Sequence, residues 1–143
     1  MRLVDVNVLV TAFRDVAPGH KVCRDLLEEL INGPLPYGVS ELVLSGFLRV
    51  ATHPRVFDPP APLPAALAFA DAYRSGEAAV VVAPGPRHWS IFTALCRSAG
   101  AKGSLVPDAY LAALAIESGC EWVSADRDFA RFPDLRWTRV DLD

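Results

Sequence analysis

No apolar run in the sequence approaches the roughly 20 residues that a membrane-spanning helix needs. The first apolar run is interrupted by Asp5 and Asn7, and no small-residue cleavage site follows it, so we expect no secretory signal peptide. Both absences argue against a membrane or secreted protein. We therefore expect a cytoplasmic protein with no membrane partner.

Cysteine and histidine are too few and too scattered for a disulfide framework or a zinc site. The chain has three of each, and neither set shows the close spacing of metal ligands: Cys23, Cys96, Cys120, His20, His53 and His88. An odd number of cysteines cannot all pair within one chain. We interpret the cysteines as partly buried free thiols of a reducing compartment.

Several common catalytic signatures are missing as well. The sequence contains no P-loop, no dinucleotide-binding glycine fingerprint and no recognisable Ser–His–Asp arrangement. The formal net charge is −3, whereas generic nucleic-acid binders are usually basic. What the chain does have is 52% hydrophobic and 22% charged residues, which is typical of a globular domain. A chain of 143 residues predicts a single domain spanning 1–143.

Short apolar segments alternate with amphipathic ones along the chain. We predict five strands, at Arg2–Asp5, Leu35–Val39, Ala79–Ala83, Glu121–Ser124 and Arg136–Val140. Helices are predicted at Val22–Ile31, from a Ser40 cap to about Thr52, and at Pro64–Ser75, Arg87–Ser98 and Pro107–Ser118, with a short turn at Asp128–Arg131. Strands that alternate with helices indicate an α/β fold with a parallel sheet. The run Val80–Val82 predicts a strand covered on both faces.

Polar residues follow the predicted strands at positions where ligands bind in such sheets, the carboxyl ends. Asp5 and Asn7 end the first strand, Ser40 and Glu41 follow the second, and Asp108 lies in the first turn of a helix. Ser124, Asp126 and Asp128 follow the fourth strand. Each alone is explained by helix capping. Together they predict a cluster of carboxylates.

Such a cluster needs a cation. Two carboxylates 4 Å apart repel by roughly 4 kcal/mol at an effective dielectric of 20, and a whole domain is stable by only about 5–15 kcal/mol. Oxygen ligands without histidine or cysteine favour Mg²⁺ or Mn²⁺. Mg²⁺ held by a few carboxylates takes phosphate oxygens as further ligands, so hydrolysis of a phosphodiester is the predicted chemistry.

Three stretches carry a family resemblance: LVDVNVLV, SELVLSGFLRVATHPRVF and PDAYLAALAIESGCEWVSADRDFARFPDLRW. Together they resemble a PIN-domain ribonuclease and, more narrowly, the VapC toxins of bacterial toxin–antitoxin pairs. The resemblance covers nearly the whole chain, including the order and spacing of four acids. It implies a three-layer α/β/α sandwich with a mostly parallel five-stranded sheet, forming one PIN domain over residues 1–143.

The resemblance also implies a function. PIN domains of this kind are endoribonucleases whose acidic quartet binds Mg²⁺ or Mn²⁺, and structured tRNA or rRNA is the expected substrate. The catalytic and metal-binding positions match Asp5, Glu41, Asp108 and Asp126. Supporting polar positions match Asn7 and Ser124, and an accessory acid of variable role matches Asp128. A homodimer and inhibition by a VapB-type antitoxin are implied as partners.

Other functions stay open at this point. An aspartyl-phosphate phosphatase needs a second acid where the chain has Asn7, and a receiver domain needs an acidic pair and a late lysine that are absent. A non-catalytic interaction domain is favoured by a missing acid, and none is missing. A structure-specific DNA nuclease usually carries clamp insertions for which 143 residues leave little room.

A preformed metal site predicts stabilisation by metal. At a Mg²⁺ or Mn²⁺ concentration about 100 times Kd, binding adds about 2.7 kcal/mol to the unfolding free energy, which raises Tm by about 5–10 °C. Thermal unfolding across a metal titration measures this. NaCl at matched ionic strength is the control for simple screening of the acids. A Tm that follows ionic strength alone contradicts the preformed site.

Overall fold

The computed structural model describes all residues from 1 to 143 and alternates strands with helices. The strands are β1 (Arg2–Val4), β2 (Tyr37–Val39), β3 (Ala79–Val81), β4 (Glu121–Ser124) and β5 (Trp137–Arg139). The helices are α1 (Val6–Phe13), α2 (His20–Asn32), α3 (Glu41–Ala51), α4 (Leu63–Arg74), α5 (His88–Ala99) and α6 (Leu105–Ser118), and a 3₁₀ turn covers Arg127–Arg131.

All five strands join one parallel sheet in the order β3-β2-β1-β4-β5. The chain builds outward from β1 to β3 and then returns to place β4 on the other side of β1. The order therefore reverses between β1 and β4, and in parallel α/β sheets ligands bind at the carboxyl ends of the strands beside this reversal. Asp5 follows β1 and Ala125 follows β4, so both chain segments leave the sheet at that point.

The helices form a layer on each face of the sheet, which confirms the predicted α/β/α sandwich. Helix α1 packs against α2 and α3, and α3 packs against α4. On the other face α5 packs against α6, and α6 contacts β4 and the 3₁₀ turn. None of the helices combines the length and apolar character that a bilayer span requires.

Aromatic side chains hold the helical layers to the sheet. Phe47 on α3 is fully buried, and its ring lies 5.4 Å from that of Phe13 on α1 and 5.1 Å from that of Phe69 on α4. On the other side Trp122 of β4 packs against Phe129 with ring centroids 5.3 Å apart. These contacts fix the directions in which α1 and α3 leave the carboxyl edge.

Most predicted boundaries agree with the structure within two residues, but three points differ. The strands other than β4 are shorter than predicted, since their ends turn into caps and loops. Helix α1, which directly follows Asp5, had no predicted bounds. Helix α6 begins at Leu105, so Pro107 is its third residue rather than its first. The first four helical amides have no intrahelical acceptor, and proline is therefore tolerated throughout the first turn.

The prediction that the β3 strand is covered on both faces is wrong. β3 is an edge strand, and its Val80 and Val81 side chains are 42% and 45% exposed, while Val82 just beyond it is buried. A continuous apolar run predicts a strand but does not distinguish a central position from an edge position.

The aromatic contacts between α1, α3 and α4 predict a large cost for truncating Phe47. We expect Phe47→Ala to lower the unfolding free energy by about 3–5 kcal/mol because it leaves a cavity in the core. Urea denaturation measures the change. Val16→Ala is the control: Val16 is 75% exposed, so the expected change is within about 0.5 kcal/mol. Equal effects for the two variants contradict the packing described here.

Candidate metal centre

Asp5 connects the end of β1 to the start of α1. Its backbone is extended (φ −80°, ψ 163°), and its Oδ1 accepts a hydrogen bond from the Val6 amide at 2.7 Å. The Asp5 amide donates to the Val123 carbonyl at 2.9 Å, which keeps this residue paired to β4. Asp5 is thus a helix cap, as its sequence position allows, but capping uses only one of its two oxygens.

The second oxygen of Asp5 joins a polar network with Ser124 and Asn7. The buried Ser124 hydroxyl donates to Oδ2 at 2.6 Å, and Asn7 Nδ2 donates to the same oxygen at 3.3 Å. Ser124 Oγ accepts from Asn7 Nδ2 at 3.2 Å and from the Asp126 amide at 3.0 Å. The Asn7 side-chain oxygen accepts from the Ala125 amide at 3.1 Å. This network ties the carboxyl ends of β1 and β4 together and fixes the orientation of Asp5.

Three further carboxylates converge beside this network. Asp108, Asp126 and Asp128 each place a carboxylate oxygen within 4.8 Å of the other two. Asp126 also caps the 3₁₀ turn, because its Oδ1 accepts from the Asp128 amide at 2.9 Å. The turn therefore brings Asp128 back toward Asp126.

Burial and neighbouring negative charges raise the pKa values of two of the aspartates, Asp108 and Asp5. Burial raises the pKa of Asp108 to about 6, with smaller contributions from the negative charges of Asp126, Asp5 and Asp128. Burial also raises the pKa of Asp5, and Asp126 adds to the increase, although the bonds from Ser124, Val6 and Asn7 act in the opposite direction. The Asp5 carboxylate is therefore close enough to the clustered acids to interact electrostatically with Asp126 and Asp108.

Glu41 is placed differently from the other predicted acids. It begins α3 at the carboxyl end of β2, but its side chain is exposed and bonded to Arg74 of α4. Arg74 Nε and Nη2 both lie 3.0 Å from Glu41 Oε2. The structure thus clusters Asp108, Asp126 and Asp128, connects Asp5 to Asp126 through Ser124, and leaves Glu41 outside this cluster in an ion pair with Arg74. Sequence reasoning missed Arg74, because nothing in the α4 pattern distinguishes it from a solvated surface arginine.

The donor set fits a divalent cation. All its ligand atoms are carboxylate oxygens, as Mg²⁺ and Mn²⁺ prefer. Each ion pair of the chain with an N···O distance up to 4.0 Å involves other residues, so no lysine or arginine neutralises the four aspartates. Partly buried carboxylates without a cationic partner are costly, and a metal ion offsets that cost.

A cavity that contains none of these acids lies elsewhere. It has a volume of about 480 Å³ and is at the opposite, amino edge of the sheet, where Arg2, Glu121 and Arg136 line it. Arg2 lies 3.9 Å from Glu121, and Arg136 donates to the Gly119 carbonyl. Its charged groups already have partners within the protein. This cavity therefore offers no unpaired charge, in contrast to the group of aspartates at the carboxyl ends of the strands.

The raised pKa of Asp108 predicts a pH-dependent stability in EDTA. The folded chain binds the Asp108 proton more tightly than the unfolded chain does, so the unfolding free energy falls as the pH rises from 3.8 to about 6. Asp108→Asn removes this contribution, and urea denaturation across the pH range measures it. If the wild-type and variant chains show the same pH slope, Asp108 does not experience the burial and repulsion described.

Comparison with known proteins identifies the family. The PIN domain family model matches residues 2–135. Ribonuclease VapC25 of Mycobacterium tuberculosis is 42% identical over 97% of this chain and 98% of its own length. VapC ribonuclease Mb2897 of Mycobacterium bovis is 46% identical over 96% of this chain and 93% of its own length.

Among solved structures, the VapBC2 complex of Rickettsia felis bound to a promoter DNA fragment has a similar fold. One of its chains superposes with a TM-score of 0.69 at 17% identity, and the alignment covers 98% of both chains. A toxin–antitoxin complex from Klebsiella pneumoniae gives a TM-score of 0.59 at 19% identity, covering 94% of this chain and 95% of that one. The sequence matches, supported by this common fold, show that the chain belongs to the PIN-domain family and, within it, to the VapC ribonucleases.

Proposed function

We propose that this protein is an Mg²⁺- or Mn²⁺-dependent endoribonuclease that hydrolyses RNA phosphodiester bonds. The observation that carries the proposal is the group of aspartates at the strand-order reversal, Asp5 buried, Asp108 and Asp126 partly buried and Asp128 exposed, none with a lysine or arginine partner. Its relatives named ribonucleases support RNA as the substrate. A phosphatase or a non-catalytic module explains neither these relatives nor the retention of every predicted acid.

The residues divide into ligands and positioning groups. Asp5, Asp108 and Asp126 would hold the ion, and Asp128 would add a ligand or orient a water. When bound, a divalent ion supplies charge neutralisation at the phosphoryl oxygens and lowers the pKa of an attacking water. Ser124 and Asn7 hold Oδ2 of Asp5 in place before the ion arrives. This preorganisation lowers the cost of assembling the ligands.

Glu41 is the fourth acid of the proposed catalytic quartet, but its side chain is paired with Arg74 in this structure. It lies at the carboxyl end of β2, next to β1, and its ion pair with Arg74 is solvent-exposed on both sides. Exposed ion pairs contribute only about 0–1 kcal/mol. Breaking the ion pair with Arg74, so that Glu41 can bind the metal instead, therefore costs little free energy. We assign Glu41 as the fourth metal-binding and catalytic acid.

The proposal includes partners and a biological role. The structural neighbours are described as toxin–antitoxin complexes, which supports a VapB-type antitoxin that neutralises this chain as the toxin of a pair. A homodimer, a cytoplasmic location and a structured tRNA or rRNA substrate complete the proposal by similarity to the family. Residues 1–143 would act as one PIN domain, since all strands join one sheet.

Loss of one ligand predicts loss of cleavage without loss of fold. We expect Asp108→Asn to lower the rate at least about 100-fold, because even outer-shell changes at metal sites cost about 10- to 100-fold. A pool of structured RNAs incubated with Mn²⁺, or with EDTA, measures cleavage. Removing one repelling charge should also raise the Tm of the metal-free variant.

The control is Asp15→Asn, the same chemical change at an exposed loop residue beyond the far end of α1. It should cleave at the wild-type rate. A fully active Asp108→Asn variant would falsify the site assignment. Release of phosphate from an acyl phosphate, with no RNA cut under any condition, would instead support a phosphatase.

A further inference from the structure

Most basic side chains without a partner lie at the same edge of the sheet as the aspartates. The majority of the 14 lysines and arginines are held by an ion pair, by a hydrogen bond or, for Arg14, by the Phe57 ring. The cations that have none of these contacts are all exposed: Arg49, Arg55, Arg97, Lys102, Arg127 and Arg139. The elements that carry them divide these cations into two groups.

The first group follows α3 away from the site. This helix begins at Glu41, at the carboxyl end of β2, and Arg49 lies in its last turn. At 1.5 Å per residue the eight steps between them span about 12 Å along the helix axis. Arg55 lies in the loop beyond that end. These two cations are therefore at the far end of α3 from the aspartates.

In the second group, α5 and α6 bring Arg97 and Lys102 to the carboxyl edge. Glu117, in the last turn of α6, accepts hydrogen bonds from two amides of the loop 84–87, so α5 starts beside the end of α6. The two helices pack against each other, and the end of α5 therefore lies beside the first turn of α6, which contains Asp108. Arg97 is in the last turn of α5, and Lys102 is in the loop that joins the two helices.

The 3₁₀ turn supplies a third cation to this group. Arg127 is the first residue of the turn and directly follows Asp126, which caps the turn. At the other end of the turn, Arg131 donates a hydrogen bond to the Ala99 carbonyl at 3.3 Å. This bond joins the turn to the end of α5. Arg127 and the two cations of the α5–α6 corner therefore lie on connected segments beside the clustered acids.

Arg139 adds a fourth cation from β5. It is the last residue of that strand, and its register partner on β4 is Ser124. Neighbouring strands are about 4.8 Å apart, so Arg139 lies one strand away from the residue whose hydroxyl holds Asp5. The 3₁₀ turn contacts β5 as well as α6. We call these four residues the basic border: Arg97, Lys102, Arg127 and Arg139.

The charge of the basic border is available to a ligand, and a polyanion fits it. None of its members has a nitrogen within 4.0 Å of a carboxylate oxygen. If the aspartates hydrolyse one phosphodiester, the neighbouring phosphates of the same strand extend away from them, each with a negative charge. The net charge of −3 and the acids themselves repel such a strand. Cations beside the acids offset this repulsion, and four of them on separate segments match a row of phosphates rather than one small anion.

We propose that the basic border binds the RNA phosphates on one side of the scissile bond and so positions that bond at the aspartates. This inference rests on the ribonuclease function proposed above. The border lies on the β4–β5 side of the acids, whereas the arginine on the β2 side, Arg74, is already paired with Glu41. Contacts to phosphates fix the position of a strand without reading its bases. The border therefore contributes affinity to every RNA sequence.

The salt dependence of RNA affinity tests the basic border. The probe is a fluorescein-labelled, unstructured RNA of about 20 nucleotides, and its anisotropy in EDTA gives the association constant K from about 50 to 200 mM NaCl. For single strands, log K falls with log[NaCl] with a slope of about −0.7 per phosphate contacted. We expect the double variant Lys102→Gln, Arg127→Gln to have a slope that is about 1.4 less steep. The charge-retaining double variant Lys102→Arg, Arg127→Lys should keep the wild-type slope.

The matched control is the double variant Arg49→Gln, Arg55→Gln. It removes the same formal charge from exposed cations that also lack a partner, but at the far end of α3. Its slope should equal that of the wild-type chain, which separates the basic border from an effect of net charge. With Mn²⁺ and a cleaved RNA, the border variant should raise KM more than it lowers kcat, and the control should change neither.

Equal salt slopes for the two glutamine double variants, while the wild-type chain still cuts RNA, would overturn the inference and leave the ribonuclease function intact. The same holds if the wild-type chain has no measurable affinity for the probe. An unchanged slope for the border variant together with weaker binding of poly-glutamate would assign the border to an acidic protein segment instead. Failure of the wild-type chain to cut any RNA with Mn²⁺ would reject the proposed function itself, and the inference with it.

Discussion

Mutual repulsion among the aspartates at the carboxyl edge is the constraint on which the rest of this structure depends. The sheet order brings the ends of β1 and β4 side by side, and α6 and the 3₁₀ turn add Asp108 and Asp128. Hydrogen bonds hold Asp5 and Asp126 in place, whereas burial raises the pKa of Asp108 and makes its ionised form costly to the fold. The aromatic contacts beneath α1 and α3 supply rigidity that opposes spreading of this edge.

Much of this arrangement is predictable from the sequence. Asp5 and Asp126 follow apolar strands, and parallel strands end at a common edge, so the sequence places both residues at the same edge of the sheet. Ser40 and Asp126 were predicted where caps are found, because capping depends on local sequence. The five strands and their parallel arrangement are also confirmed, because strands that alternate with helices form parallel sheets. The assignment of these residues as metal ligands stays a prediction.

What the sequence does not reveal depends on long-range neighbours. The ion pair between Glu41 and Arg74 joins α3 to α4, and no spacing rule connects those two residues. The exposure of Val80 and Val81 depends on β3 being at the edge, which is a property of the strand order rather than of the strand. Trp89 shows the same limit: its helix is amphipathic, but only the packing of α5 on α6 shows that the indole faces solvent.

The short edge strand β3 has a consequence for how this protein behaves at high concentration. An unpaired apolar strand edge is a template on which other chains can add strands and aggregate. β3 has only three residues, and Pro84 and Pro86 follow it closely, so few amides remain free along that side. Proline has no amide hydrogen to donate to an incoming strand. β3 therefore exposes apolar valine side chains at the edge of the sheet but offers few backbone groups to which a strand of another chain could bond.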